Sequence, residues 1–122
     1  MQIQKVTPNL MVQDMNASLE FYQQLLGMER TITVPDQAPF VFAAVSAGSA
    51  EIFLNKNDAG TPPKAGGISM YVEVEGLDQL LARVQQRGWK IAIELNETFY
   101  GMREFAVNDP DGYMVIFAER KK

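Results

Sequence analysis

The chain has 122 residues, of which 47% are hydrophobic and 21% charged, a formal net charge of −4, and neither cysteine nor histidine. That size supports a single domain with a real core, while the missing residues exclude disulfides and thiolate sites and remove the commonest metal ligand and general base. The acidic balance argues against nucleic acid, whose phosphates call for a basic face, and is compatible with a cationic ligand.

From the start, Met1-Gln2-Ile3-Gln4-Lys5 offers no positively charged lead into an apolar run. The chain also holds no apolar run of about 18 residues. The expectation is a cytoplasmic protein with no membrane partner. Ile3 to Gln13 reads as a strand, with Leu10 and Val12 pointing one way and Thr7, Asn9 and Met11 the other. Asp14 or Asn16 can cap the helix that follows, which carries Phe21, Tyr22 and Leu25 on one face with Ser18 a turn earlier and stops at Gly27.

Met28 to Val34 is a predicted second strand, and Pro35 to Pro39 a loop rich in breakers. Phe40 to Val45 and Ala50 to Asn55 form a predicted pair turning at Ser46 to Ser49. In its second strand Ile52 and Leu54 share one face and Glu51, Phe53 and Asn55 the other. Residues 56–67, with three glycines and two prolines, read as a linker.

The pattern then restarts. Ile68 to Val74 is a predicted strand with Met70, Val72 and Val74 in phase. Leu77, Leu80, Leu81 and Val84 make a helical stripe before Gly88, and strands follow at Lys90 to Asn96, Arg103 to Val107 and Tyr113 to Ala118. Asp109-Pro110-Asp111-Gly112 carries turn chemistry between the last two: Pro110 presets φ, Asp111 can bond its own backbone and Gly112 accepts a positive φ. Fifteen residues separate Val12 from Gly27 and fourteen separate Val74 from Gly88, so the chain reads as an internal duplication. The predicted class is α+β, in two βαβββ modules at 1–55 and 68–122 within one domain spanning 1–122.

The run from Tyr100 to Gly112, with Tyr-Gly-Met-Arg-Glu-Phe-Ala before Asp-Pro-Asp-Gly, resembles the closing hairpin of the vicinal-oxygen-chelate superfamily, and its wording is similar to that of the bleomycin-resistance proteins. Thr7 to Asp14, Phe21-Tyr22, Leu26-Gly27 and Glu75 to Leu80 extend the resemblance over nearly the whole chain. It implies a curved mixed sheet around a cleft, and a homodimer. In metal-using members such as glyoxalase I and the extradiol dioxygenases, aligned ligand positions fall here on Thr7, Phe53, Ser69 and Ile116, none a credible ligand for a catalytic divalent ion. The expectation is therefore no metal and no cofactor.

Phe53, Tyr71 and Tyr100 fall where the resemblance places ligand-stacking aromatics, Tyr71 and Tyr100 standing in for tryptophans. The bland alternative for these rings is core and loop packing. Glu51 and Glu73 point to the same predicted face and either meet a cationic ligand or sit at an open rim. Asn9 and Met102 complete the expected ligand-binding set. Arg103 beside Glu104 reads as an ion pair fixing the hairpin, and Glu119 as a solvated chain end. The first functional reading is a metal-free binding protein of the bleomycin-resistance type that sequesters an aromatic or cationic small molecule, such as an antibiotic, without a reaction. The second is a glyoxalase-like lyase, isomerase or dioxygenase-related enzyme that uses an unrecognised metal or carboxylate site, with Glu51 and Glu73 as the acid and base candidates. A third is a paralogue acting through protein contacts.

Overall fold

The structure, a computed structural model, describes residues 1–57 and 68–122. The chain falls into two compact units, Met1–Pro63 and Lys64–Lys122. The expected 56–67 linker lies outside the described residues except at its first two positions.

In the first unit β1 (Asn9–Val12) leads into α1 (Met15–Leu26), then β2 (Glu29–Val34), β3 (Phe42–Ala47) and β4 (Ala50–Lys56). The sheet order is β1-β4-β3-β2, with β1 parallel to β4 and the other pairs antiparallel. The first strand is shorter than its alternation implies. Pro8 gives its carbonyl to the Phe53 N–H at 2.9 Å but has no N–H to give, so the ladder ends there and Ile3 and Val6 are exposed.

Asp14 is the helix cap: its carboxylate accepts the Ala17 N–H at 3.1 Å, a bond whose loss typically costs about 1 kcal/mol. Gly27 closes the helix at φ 64°, a left-handed conformation that other residues adopt only with strain. One face of α1 buries Met15, Ser18, Leu19, Phe21, Tyr22 and Leu25 against the sheet, whose helix side carries Leu10 and Val12 of β1, Ala43 and Val45 of β3, and Ile52 and Leu54 of β4.

The second unit repeats the plan. β5 (Ser69–Glu73), α2 (Leu77–Arg87), β6 (Ile91–Glu97), β7 (Met102–Asn108) and β8 (Met114–Arg120) give the sheet order β5-β8-β7-β6, again with one parallel pair, β5 and β8. Leu77, Leu80 and Val84 of α2 are buried, as are Phe105, Val107, Val115 and Phe117, and the rings of Phe105 and Phe117 lie 5.3 Å apart. Leu81, on the edge of the helical stripe, is only half-buried.

The β7–β8 turn works through Asp109 more than Asp111. One carboxylate oxygen of Asp109, itself buried, accepts the N–H groups of Asp111 and Tyr113, both at 2.9 Å. Gly112 sits at φ 91° and donates to the Asp109 carbonyl at 3.0 Å. The two βαβββ modules thus make an α+β fold of two four-stranded mixed sheets.

Phe105 is fully buried at the centre of β7, so Phe105→Ala leaves a cavity under α2 and is expected to cost about 3–5 kcal/mol. Urea denaturation followed by far-UV circular dichroism measures this, and a loss under about 1 kcal/mol would mean the core is not organised around this ring.

Candidate functional site

Strand alternation sorts the predicted site residues before any ligand is considered. Each sheet has one face under its helix and one face free of it. In the first unit the helix-free face carries Asn9 and Met11 of β1, Glu51, Phe53 and Asn55 of β4, and Phe42 and Ala44 of β3. Asn9 is in register with Phe53, and the Asn55 side-chain amide donates to the Asn9 side-chain oxygen. The rings of Phe42 and Phe53 pack edge to face at 5.3 Å, both half-buried. Lys5 forms an ion pair with Glu51, whose charge is therefore already matched.

In the second unit the helix-free face carries Tyr71 and Glu73 of β5, Ile116 and Ala118 of β8, and Met102, Glu104 and Ala106 of β7. Three side chains meet on it. Tyr71 and Tyr100 both donate their phenol protons to the same oxygen of Glu104, Oε2, the second at 2.7 Å. Tyr100 is aimed there by the turn between β6 and β7. In that turn the Thr98 N–H donates to the Met102 carbonyl at 2.8 Å, and the Met102 N–H donates to the Thr98 hydroxyl at 3.0 Å. Both rings are open to solvent, Tyr71 at 47% and Tyr100 at 51% exposure, and Phe99 packs edge to face on Tyr100 at 5.1 Å. Met102 shares the face but is buried. Glu73 has no ion-pair partner among the described residues.

The expected pair of Arg103 with Glu104 does not form. Neighbours along a strand point to opposite faces, so Arg103 lies on the helix side, where it grips Asp78 of α2 at 2.8 and 3.2 Å. The Arg103 guanidinium holds the Asp78 carboxyl below the usual carboxylate range. That contribution to stability is present above the ordinary carboxylate pKa and is lost as pH falls through the lowered one. Glu119 is on this side too. Instead of being merely solvated, it accepts the Gly76 N–H at 2.7 Å and so caps a helix whose N-cap residue has no side chain to do so.

Glu104 is the residue that sequence reasoning missed as a centre. The signal was the same alternation that places Ile116 and Tyr71 together, since Glu104 is in phase with Ala106 and out of phase with Phe105.

The metal that the resemblance brings to mind does not fit. Thr7, Phe53, Ser69 and Ile116 offer two hydroxyls, a phenyl ring and an alkyl chain, and the described residues bring no three carboxylates together.

A paired βαβββ architecture with a helix on one face of each sheet defines the fold class. Residues 2–117 match the family model for the glyoxalase/bleomycin resistance protein/dioxygenase superfamily, and the chain belongs to that superfamily. Among curated proteins none matches this chain.

Solved structures show the same fold at low identity. TioX from Micromonospora sp. ML1 is 19% identical, with a TM-score of 0.78 over 95% of this chain and 99% of that one. A lactoylglutathione lyase from Agrobacterium tumefaciens is 18% identical, with a TM-score of 0.73 over 97% and 95%. A glyoxalase/bleomycin resistance protein/dioxygenase from Nocardioides is also 18% identical, with a TM-score of 0.73 over 100% and 87%. No helix among the described residues is long and apolar enough to cross a membrane.

The Glu104 carboxylate beside them pushes the phenols of Tyr71 and Tyr100 above the ordinary tyrosine range, because a phenolate there loses a hydrogen bond and faces a second negative charge. With folded values raised, the stabilisation is complete below the ordinary value of about 10 and is lost as pH rises through the raised values. Ultraviolet titration of tyrosinate should show two late-ionising phenols that move towards the ordinary value in Glu104→Gln. An unchanged titration curve would show that the carboxylate does not hold them.

Proposed function

We propose that the protein binds and sequesters a small aromatic or cationic molecule, in the manner of a bleomycin-resistance protein, and carries out no reaction on it. One observation carries this reading: two solvent-open tyrosine rings are tied through their hydroxyls to one carboxylate on the helix-free sheet face. Rings fixed before binding cost little conformational entropy when a planar ligand stacks on them. Glu73 on the same face adds negative charge, with no ion-pair partner among the described residues. On the first unit Phe53 offers a further ring, with Asn9 beside it and the Glu51 charge matched by Lys5.

Among groups suited to proton transfer, Glu51 is committed to an ion pair, and this favours the binding reading over the enzyme reading in which Glu51 and Glu73 are acid and base. The proposed assembly is a symmetric homodimer. The edge strands β2 and β6 leave Ile32, Val34, Ile93 and Leu95 exposed, and pairing would cover them. Light scattering at micromolar concentration should give twice the 13.7 kDa chain mass. A value of one chain mass that persists on dilution excludes the dimer.

Calorimetric titration with bleomycin and other planar cationic compounds tests the binding reading. Tyr71→Ala and Tyr100→Ala should each weaken binding by about 1–3 kcal/mol, or roughly 5- to 150-fold. A ligand bound equally by wild type and both variants would make these tyrosines packing residues.

A further inference from the structure

The hydrogen-bonding inventory around Glu104 narrows the ligand further than its aromatic or cationic character does, on the understanding that this face binds a ligand at all. A phenol has one proton to give and lone pairs to receive with. Both phenol protons, from Tyr71 and Tyr100, are spent on Glu104 Oε2. Each hydroxyl therefore shows a ligand only its lone pairs. The other oxygen of Glu104 receives no hydrogen bond from the described residues, and a carboxylate can only accept.

The nearby amide is spent as well. Asn96 directs its side-chain N–H groups to the carbonyls of Glu94 at 2.8 Å and Glu104 at 3.2 Å. The row that holds Glu104 continues through Ala118, which has no polar side chain, to Glu73, another acceptor roughly 10 Å away across two strands. The Thr98 hydroxyl beside Tyr100 gives its proton to the Met102 carbonyl at 3.2 Å. Arg120, in register with Met102, and the hydroxyl of Ser69, which can serve either way, stand one row to either side.

We propose that Glu104 is the specificity-determining residue of this face. By holding the protons of Tyr71 and Tyr100 it turns the cluster into a set of acceptors only, which selects planar cations bearing N–H donors (amino-aryl, amidinium or guanidinium groups) and rejects carboxylates and carbonyl-rich ligands. The rejection is as much a part of the specificity as the attraction. A carbonyl or carboxylate placed there would meet the lone pairs of all three side chains, and one phenol would have to give up its bond to Glu104 to receive it. A cation without N–H groups would keep the charge attraction but leave the acceptors unpaired.

Three planar probes separate these effects: proflavine, whose exocyclic amines donate; acridine orange methylated at its ring nitrogen, the same cationic ring with no N–H left; and anthracene-9-carboxylate. Each is titrated into the full chain while the backbone amide signals of Tyr71, Tyr100 and Glu104 are followed by nuclear magnetic resonance. Proflavine should saturate these three signals. The methylated acridine orange should be weaker by about tenfold or more, and the carboxylate should leave them unmoved.

Glu104→Gln puts an amide that can donate into the cluster, and in that variant the preference for proflavine over methylated acridine orange should fall to near unity while the amide spectrum stays dispersed. If proflavine moves none of the three signals, the face is not a binding surface and the reading under Proposed function falls with it. If proflavine and methylated acridine orange bind there equally well, or the carboxylate binds there as tightly, the acceptor rule is wrong while the binding surface stands. The wild-type series decides this even if the variant fails to fold.

Discussion

Strand β7 serves two environments at once because its side chains alternate. Arg103, Phe105 and Val107 face α2, where they make the ion pair to Asp78 and the centre of the second core. Met102, Glu104 and Ala106 face away from the helix, where Glu104 gathers the two tyrosines. A shift of one residue in the pairing of β7 with β8 would exchange these sets, placing a carboxylate in the core and a phenylalanine in water. The Asp109 turn sets that pairing. Its carboxylate ties down the Asp111 and Tyr113 N–H groups, and so fixes which residue of β8 lies opposite Glu104.

The helix-free faces of the two units solve the problem of exposed polar groups differently. In the first, polar groups are satisfied by partners of their own unit, Asn9 with Asn55 and Lys5 with Glu51. In the second, two donors converge on one oxygen, and Glu73 on the same row has no ion-pair partner among the described residues. Carboxylates at this degree of exposure are not costly to leave in water, so the second arrangement persists without a partner. The difference between duplicated units therefore lies in side-chain pairing, because element order and sheet order are the same in both.

Much of this was legible in the chain. Leu10, Val12, Ile52, Leu54, Val115 and Phe117 announced their faces by period two, and Asp14, Gly27 and Gly88 bounded the helices where capping chemistry requires. The strand-like side chains of Ile3 and Val6 extend the first strand in the sequence pattern beyond its ladder. Whether a strand exists there depends on a partner's ladder, which Pro8 interrupts. Arg103 and Glu104 were paired by adjacency, although alternation separates adjacent residues by the thickness of the sheet. The convergence of Tyr71 and Tyr100 on Glu104 needed the β5-β8-β7 order. That order brings residues 33 positions apart onto neighbouring rows, and no local pattern encodes it.

The same alternation explains how a chain of this superfamily keeps its fold while carrying a donor set that cannot hold a catalytic divalent ion. Phe53 and Ile116 stand on helix-free faces and Ser69 is exposed. The side chains that stabilise each unit, among them Leu54, Val115 and Phe117, stand on the opposite face of the same strands. Exchanging an imidazole or carboxylate for a phenyl ring or an alkyl chain on the helix-free face leaves core volume, caps and register untouched. The side chains of these faces can therefore change without a cost in core packing. In the second unit Glu104, between Arg103 and the core residue Phe105 on β7, stands on that helix-free face.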